Sequence, residues 1–244
     1  MFNGFSPQIF TFMEGLHRNN SRDWFNEHRD VYEEIVKPTV RELVTALSPF
    51  IHILNPGLET SPKFNKTIGR LHNDTRFHKN KPPFKKYIFI TFPPEGRRWS
   101  DAPFLYLAIH RSGVWIGYWS GPQTVFDAEN WKKRIRANAS LFREFLDKNR
   151  IQEKYGFMAD SDEDGPGKLV PIPPAFEIWQ NLEDISAGTF YPAGNNILRD
   201  EKFIEAAATA LFDLYPFYIF QTSAAVEAEF LDYLDKKENF RFVD

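Results

Sequence analysis

The sequence of 244 residues contains no cysteine. This absence excludes a disulfide framework, a thiolate zinc site, an iron–sulfur cluster and a cysteine nucleophile. The sequence also has no continuous apolar run near the roughly 20 residues that a membrane crossing needs. Its first ten residues, MFNGFSPQIF, have neither the basic region nor the apolar region of a signal peptide. We therefore expect a cytoplasmic protein without a membrane partner.

Aromatic residues are abundant. There are 25 phenylalanines, and aromatic residues make up 16% of the chain, so large rings must fill much of the core. Hydrophobic residues make up 42% and charged residues 26%, as in globular proteins. The length suits one sizeable domain or two small ones, and we expect a single domain over residues 1–244.

Hydrophobic periodicity predicts helices first and strands next. Apolar residues recur at helical spacing through the first fifty-odd residues, after a capping pair at Ser6 and Pro7 and with a break or kink at Pro38. Short runs of aromatic and β-branched residues then predict strands. These runs are 64–71, 87–92, 104–110 and 114–120. The last two flank a connection of turn length, which favours an antiparallel hairpin.

Helical spacing returns from Trp131, after a cap at Thr124 or Asp127. Residues 150–175 are polar and rich in proline, which predicts a surface loop. A short helix, a short strand and two further helices, divided at Pro216, complete the prediction. The resulting fold class is α+β, with a helical N-terminal layer, a central and largely antiparallel sheet, and C-terminal helices.

Positive charge is concentrated in one segment. Residues 61–98 hold ten lysines and arginines against Asp74 and Glu95, a net charge of +8. The chain total of −3 leaves −11 for the other 206 residues. Such a segment attracts anionic ligands while the rest of the surface repels them. The alternative is a solvated face that only maintains solubility.

Two stretches carry a family resemblance. Residues 70–85 read RLHNDTRFHKNKPPFK, and residues 16–32 read LHRNNSRDWFNEHRDVY. The first resembles the R-x-x-R-D-x-R-F-x-x-D-K-x-P-Y-K signature of the domain of unknown function 2461 family. The second is similar to that family's N-terminal asparagine pair, tryptophan–phenylalanine pair and tyrosine. The sequence departs from the signature at Asn73, Asn80 and Phe84, where arginine, aspartate and tyrosine are common.

The resemblance implies a site within residues 70–86 but names no substrate. This segment is irregular and connects two apolar runs, and long irregular loops in compact domains are often functional. Its cations can present guanidinium and ammonium groups to a phosphate or carboxylate. The predicted ligand-binding residues are Arg70, Asp74, Arg76, Lys81 and Lys85.

Within this segment, Asp74 is expected to orient one arginine and is the only candidate acid or base, so catalysis stays unassigned. Phe77 and Phe84 are expected to anchor the loop. Arg70 should lie on or at the end of a strand, with Arg76 and Lys81 converging on the same depression. Alternatively, Asp74 and the arginines only neutralise one another and pin the loop.

Three kinds of partner fit this pattern. A phosphate-bearing small molecule is the leading interpretation. A protein-interaction module would use exposed rings such as Trp115, Trp119 or Phe84, with cations as a rim. Nonspecific nucleic-acid binding would combine aromatic stacking with basic residues, and it is possible but not favoured. A second basic group is predicted to be a solvated helix face; it consists of Lys132, Lys133, Arg134 and Arg136.

Metal-ligating residue types occur without suitable spacing. His72, Asp74 and His78 match no standard zinc or iron pattern. Residues 160–165 begin like a calcium loop, but Pro171 stands where the loop needs a bidentate glutamate. No phosphate-binding or dinucleotide-binding glycine motif occurs. We expect neither a metal nor a cofactor.

Overall fold

A computed structural model describes residues 1–74, 81–98, 101–121, 127–158 and 168–239. Helices precede, interrupt and follow a six-stranded antiparallel sheet. The predicted α+β class, with helical N-terminal and C-terminal parts, is confirmed.

The N-terminal layer is helical throughout. It consists of α1 (Pro7–Arg18), α2 (Arg22–Glu27), α3 (Arg29–Val31), a π-helical turn (Tyr32–Val36) and α4 (Lys37–Leu54). The Ser6 and Ser21 side chains accept hydrogen bonds from first-turn N–H groups of α1 and α2. The helical run does not break at Pro38: the π turn changes the hydrogen-bond pattern just before it, and Pro38 falls in the first turn of α4.

The sheet contains β1 (Tyr87–Phe92), β2 (Phe104–His110), β3 (Gly113–Ser120), β4 (Gly156–Met158), β5 (Leu169–Pro171) and β6 (Ile185–Pro192). Their spatial order is β1-β2-β3-β6-β4-β5. The hairpin predicted between β2 and β3 is confirmed, with His110 paired to Gly113. Gly113 has φ +145°, and a Cβ there would lie 2.1 Å from the Tyr191 carbonyl oxygen, so this turn requires glycine.

Two predictions, for residues 64–71 and for residues 150–175, are wrong. Residues 64–71 form no strand and contact β1 only through an isolated bridge between Ile68 and Ile90. A turn at Asn65, which has φ +66°, folds this run back on itself. Residues 150–175 are not only a loop, because they supply β4, β5 and α7 (Ile151–Lys154). The calcium-like residues 160–165 lie outside the described residues.

The remaining helices are α5 (Ala128–Ala137), α6 (Ala139–Lys148), α8 (Phe176–Gln180), a 3-10 turn (Asn196–Arg199), α9 (Phe203–Thr222) and α10 (Val226–Asn239). The predicted division at Pro216 is wrong, because α9 continues through it and ends at Thr222. Extensive burial of α9 outweighs the one backbone hydrogen bond that a proline removes. The cap predicted at Asp127 is confirmed.

Helix α9 is the centre of the core. Among the described residues it is the one helix long and apolar enough to cross a membrane, and 72% of its apolar window is buried inside the protein. It packs on the sheet face formed by alternate residues such as Leu107 and Ile116. The opposite sheet face carries a second cluster around Tyr106 and Trp115. Helix α9 is therefore a core helix of this fold.

A buried carboxylate connects α9 to its neighbours. Asp213 is 1% exposed and accepts hydrogen bonds from Lys154 Nζ at 3.0 Å, the Tyr155 hydroxyl at 2.8 Å and Lys237 Nζ at 2.7 Å. Asn149 donates to the Asp213 carbonyl oxygen at 2.7 Å. The two ammonium groups compensate the charge that burial would otherwise make costly.

Candidate anion-binding site

The two ends of the predicted site segment form a short antiparallel pair. His72 is bridged to Phe84. The Asn73 N–H donates to the Pro83 carbonyl oxygen at 2.9 Å, and the Lys85 N–H donates to the Leu71 carbonyl oxygen at 2.8 Å. Because residues opposite each other in such a pair share a face, His72 and Phe84 present their side chains together.

The turn between α1 and α2 is hydrogen-bonded to this antiparallel pair through the side chain of Asn20. Asn20 Nδ2 donates to the Phe84 carbonyl oxygen at 2.9 Å, and the Phe84 N–H donates to Asn20 Oδ1 at 3.0 Å. The amide side chain thus satisfies both backbone groups of Phe84, as a neighbouring strand would. Residues 64 positions apart in the chain are joined by this contact.

Aromatic packing fixes the same face. The Phe84 ring is 2% exposed and stacks on Phe25 of α2 with centroids 4.5 Å apart. The His72 ring lies 4.8 Å from Phe84 and 5.4 Å from Phe25. The prediction that Phe84 anchors the segment is confirmed, whereas Phe77 lies outside the described residues.

Cations from separate elements act on His72. Packing against the two rings lowers the pKa of His72, and the charges of Arg29, Arg22, Arg70 and Lys37 lower it further. These side chains come from α3, α2, the segment itself and α4. We call Arg22, Arg29, Arg70 and His72 the basic cluster.

The positive charge of the basic cluster is largely uncompensated. Arg22 and Arg70 are exposed and form no ion pair with the part of the chain that the structure describes. Arg29 donates to Asn26 Oδ1 at 2.7 Å and lies 5.6 Å from the Phe25 ring centroid. Lys37 differs, because Glu33 pairs with it at 2.5 Å. The three guanidinium groups therefore face solvent without a carboxylate partner in the described residues.

The structure places the predicted site residues Arg70 and Lys85 in different surroundings. Arg70 belongs to the basic cluster, but it lies on no strand and follows Gly69, which bonds to Phe89 of β1. Lys85 follows Phe84, so its side chain lies on the opposite face of the pair from His72. Burial lowers the pKa of Lys85.

Asp74 and Lys81 are exposed at the two ends of the loop. Asp74 engages in contacts of its own and forms no ion pair with Arg70, so its expected orientation of one arginine stays a prediction. Arg76, Asn80 and His78 lie outside the described residues. The expected convergence of Arg76 and Lys81 with Arg70 therefore stays a prediction.

Sequence reasoning missed Arg22, Arg29 and the central position of His72. The second family-like stretch, residues 16–32, contained the signal, because it supplies Asn20, Phe25 and both arginines. Nothing in the spacing along the chain showed that this stretch packs on residues 72 and 84.

A cleft of about 380 Å³ lies at the other end of β1, near Phe92. It is lined by the connection that follows β1, the start of α5 and the end of α9, and includes Arg97, Asp101, Asp127, Arg134 and Tyr218. Arg134 donates to the Phe220 carbonyl oxygen at 2.6 Å and to that of Ser223, which satisfies the last carbonyls of α9. One cation of the second basic group therefore has a structural role.

Metal-ligating side chains are not grouped in the described residues. Among them, no set of three or more histidine, aspartate or glutamate side chains is arranged to hold a metal ion. The charges that act on His72 there are those of arginine and lysine side chains.

Comparison with known proteins assigns a family to most of the chain. No curated protein matches the chain. The sequence model of a family described as "Conserved hypothetical protein (DUF2461)" matches residues 8–220, which include nearly all of α1, the basic cluster, the sheet and most of α9. With most of its length matched, the chain belongs to the DUF2461 family.

Proposed function

We propose that this protein binds an anionic, phosphate-bearing ligand at the basic cluster. The observation that carries the proposal is that Arg22, Arg29 and Arg70 all lower the pKa of His72 by their charge, and that none of the three forms an ion pair with the described residues. Cations held close together repel one another, and an anion between them relieves that repulsion. Guanidinium groups suit phosphate because they donate paired hydrogen bonds in a planar arrangement.

The way the cluster is built also supports ligand binding. The Asn20 hydrogen bonds and the stack of Phe25 on Phe84 fix the backbone from which His72 projects. A site held in place before the ligand arrives loses less conformational entropy on binding. Arg22, Arg29 and Arg70 then approach the ligand from three separate elements.

The alternative of a protein-interaction module has less support. Trp115 is 5% exposed and Phe84 2% exposed, so neither ring is available as an interface hot spot, and Trp119 is half-buried. Nucleic-acid binding fits poorly with the charge of −11 outside residues 61–98, since a polyanion would be repelled there.

Catalysis has no assigned residue. Within the described residues of the segment, Asp74 is the candidate acid or base expected from the sequence, and His72 adds an imidazole. We place the binding function in the cytoplasm, in keeping with a chain that has no cysteine.

Titration calorimetry with inorganic pyrophosphate tests the proposal. We expect saturable binding that weakens as salt rises. Arg22→Gln and Arg70→Gln should each weaken it about tenfold, the effect of losing one charge-assisted contact. Arg199→Gln is the matched control, because Arg199 is exposed and is not among the charges acting on His72. Absence of binding, or equal affinity of Arg70→Gln and Arg199→Gln, would overturn the proposal.

A further inference from the structure

The cleft of about 380 Å³ near the end of β1 is a second place where a ligand can bind. It is formed by three parts of the chain that the basic cluster does not use, namely the connection that follows β1, the start of α5 and the end of α9. Its volume is at the small end of the range of about 300–1,000 Å³ that small-molecule sites cover. The cleft therefore suits a small molecule, and its lining decides which kind.

The charges that line the cleft balance one another. Among the described residues they are two arginines, Arg97 and Arg134, and two aspartates, Asp101 and Asp127. A ligand with a single sign of charge would be attracted by one pair and repelled by the other. A ligand that carries one charge of each sign avoids this repulsion, provided that its charges are placed opposite the right side chains.

Two of the four charges are already compensated within the fold. The Asp101 carboxylate accepts hydrogen bonds from the Arg98 guanidinium at 3.1 and 3.2 Å. Arg134 donates to the last carbonyl groups of α9, where helix carbonyls otherwise lack a partner. Neither Asp101 nor Arg134 therefore needs a ligand.

The other two charges have no such partner. Arg97 and Asp127 are exposed and form no ion pair with the described residues, nor with each other. One carboxylate oxygen of Asp127 accepts the Asn130 N–H at 3.0 Å as the N-cap of α5, which leaves the second oxygen for a ligand. Opposite charges thus line two walls of one cleft, farther apart than a direct ion pair allows.

Apolar residues line another part of the cleft. They are Pro94, Ala102 and Pro103 from the connection after β1 and Trp131 from α5. Ala102 and Trp131 are buried in the fold, so this part of the lining is held in place. Because moving hydrocarbon from water onto such a surface is favourable, the lining favours a ligand with an apolar group beside its charges.

We propose that this cleft binds a free α-amino acid with an apolar side chain, as the zwitterion. Arg97 binds the carboxylate, Asp127 binds the ammonium group, and the apolar lining takes the side chain. Both groups of an amino acid are charged near neutral pH. This proposal goes beyond the phosphate-bearing ligand of the basic cluster and does not depend on it.

Three molecules with the same side chain test the proposal. L-leucine carries both charges, leucinamide only the positive one and isocaproate only the negative one. In calorimetry at about pH 6 we expect saturable binding of L-leucine, and at least about tenfold weaker binding of each analogue, because each lacks one charge-assisted contact. Absence of leucine binding, or equal affinity for leucine and either analogue, would overturn the proposal.

Two variants assign each ligand charge to its partner. Arg97→Gln should weaken leucine binding about tenfold and leave leucinamide binding unchanged, because leucinamide has no carboxylate. Asp127→Asn should weaken leucine binding to a similar extent and leave isocaproate binding unchanged. Asparagine is itself a good N-cap, so we expect α5 to be retained in this variant.

Glu129→Gln and Lys133→Gln are the matched controls, because both residues are exposed on α5 and are not among those that line the cleft. If Arg97→Gln and Asp127→Asn bind leucine as well as these controls do, the proposal is wrong. Pyrophosphate binding should be the same in all four variants. A failure at the cleft is therefore distinguishable from a failure at the basic cluster.

Discussion

The side-chain amide of Asn20 replaces a missing strand neighbour. It bonds to both the N–H and the carbonyl oxygen of Phe84, and both groups are partly buried. Without it these groups would lack a partner at a position where water has limited access. The sequence-derived interpretation singled out Asn20 only as part of a family-like asparagine pair, since no local pattern shows a contact across 64 positions.

Replacing Asn20 should therefore be costly. We expect Asn20→Ala to lower the free energy of unfolding by about 1–3 kcal/mol, because two backbone groups lose their partner. It should also weaken pyrophosphate binding, since His72 is opposite Phe84. Urea denaturation measures the first effect and calorimetry the second.

The neighbouring Asn19 offers a matched control. Its Nδ2 donates only to the exposed Gly15 carbonyl oxygen at 3.1 Å, so Asn19→Ala should cost less stability and leave binding unchanged. If both variants lost the same stability and the same affinity, the Asn20 hydrogen bonds would contribute no more than the Asn19 hydrogen bond.

At the scale of elements, one carboxylate of α9 organises the C-terminal part. The Asp213 carboxylate accepts hydrogen bonds from three side chains. They are Lys154 at the end of α7, Tyr155 directly after it, and Lys237 near the end of α10. The structure buries this carboxylate because side chains from other parts of the chain satisfy its oxygens.

Removing this charge should destabilise the fold. We expect Asp213→Asn to lower the free energy of unfolding by roughly 3 kcal/mol, because two ammonium groups are left beside a neutral amide. Hydrogen exchange should also accelerate in α10. Glu205→Gln is the control on the same helix, since Glu205 is exposed, and it should change stability by about 0.5 kcal/mol or less. If Asp213→Asn were as stable as Glu205→Gln, the cluster would have no structural importance.

At the scale of the whole molecule, one hydrophobic cluster runs through the N-terminal layer, the sheet and the C-terminal helices. It extends in sequence from Phe2 to Tyr233. Helix α9 contacts α4, α5, α10 and β3, so each part packs on the same central element. A continuous core of this kind favours unfolding as one unit.

We therefore predict a single cooperative transition for residues 1–244. Urea curves followed by far-ultraviolet circular dichroism and by tryptophan fluorescence should have the same midpoint, because helices and buried rings lose structure together. Two separate midpoints would contradict the single domain expected from the sequence.

Sequence patterns predicted the elements that depend on local signals. The cap at Ser6, the β2–β3 hairpin and strands β1, β2 and β3 follow from periodicity, capping and turn chemistry. The wrong predictions at Pro216 and residues 64–71 concern places where tertiary packing overrides a local preference. The basic cluster joins Arg22 to His72, and no local pattern contains such a distant contact.

The open sides of the sheet limit how this protein can associate with other chains. Strand β1 ends the sheet on one side, where exposed backbone groups would readily pair with a second molecule. Residues 67–69 occupy that position, since the Gly69 N–H donates to Phe89 and the Thr91 N–H to Thr67, both at 2.8 Å. On the other side β5 has three residues and ends at Pro171, which has no N–H to offer. A substitution that releases residues 67–69 from β1 would therefore expose an aggregation-prone strand.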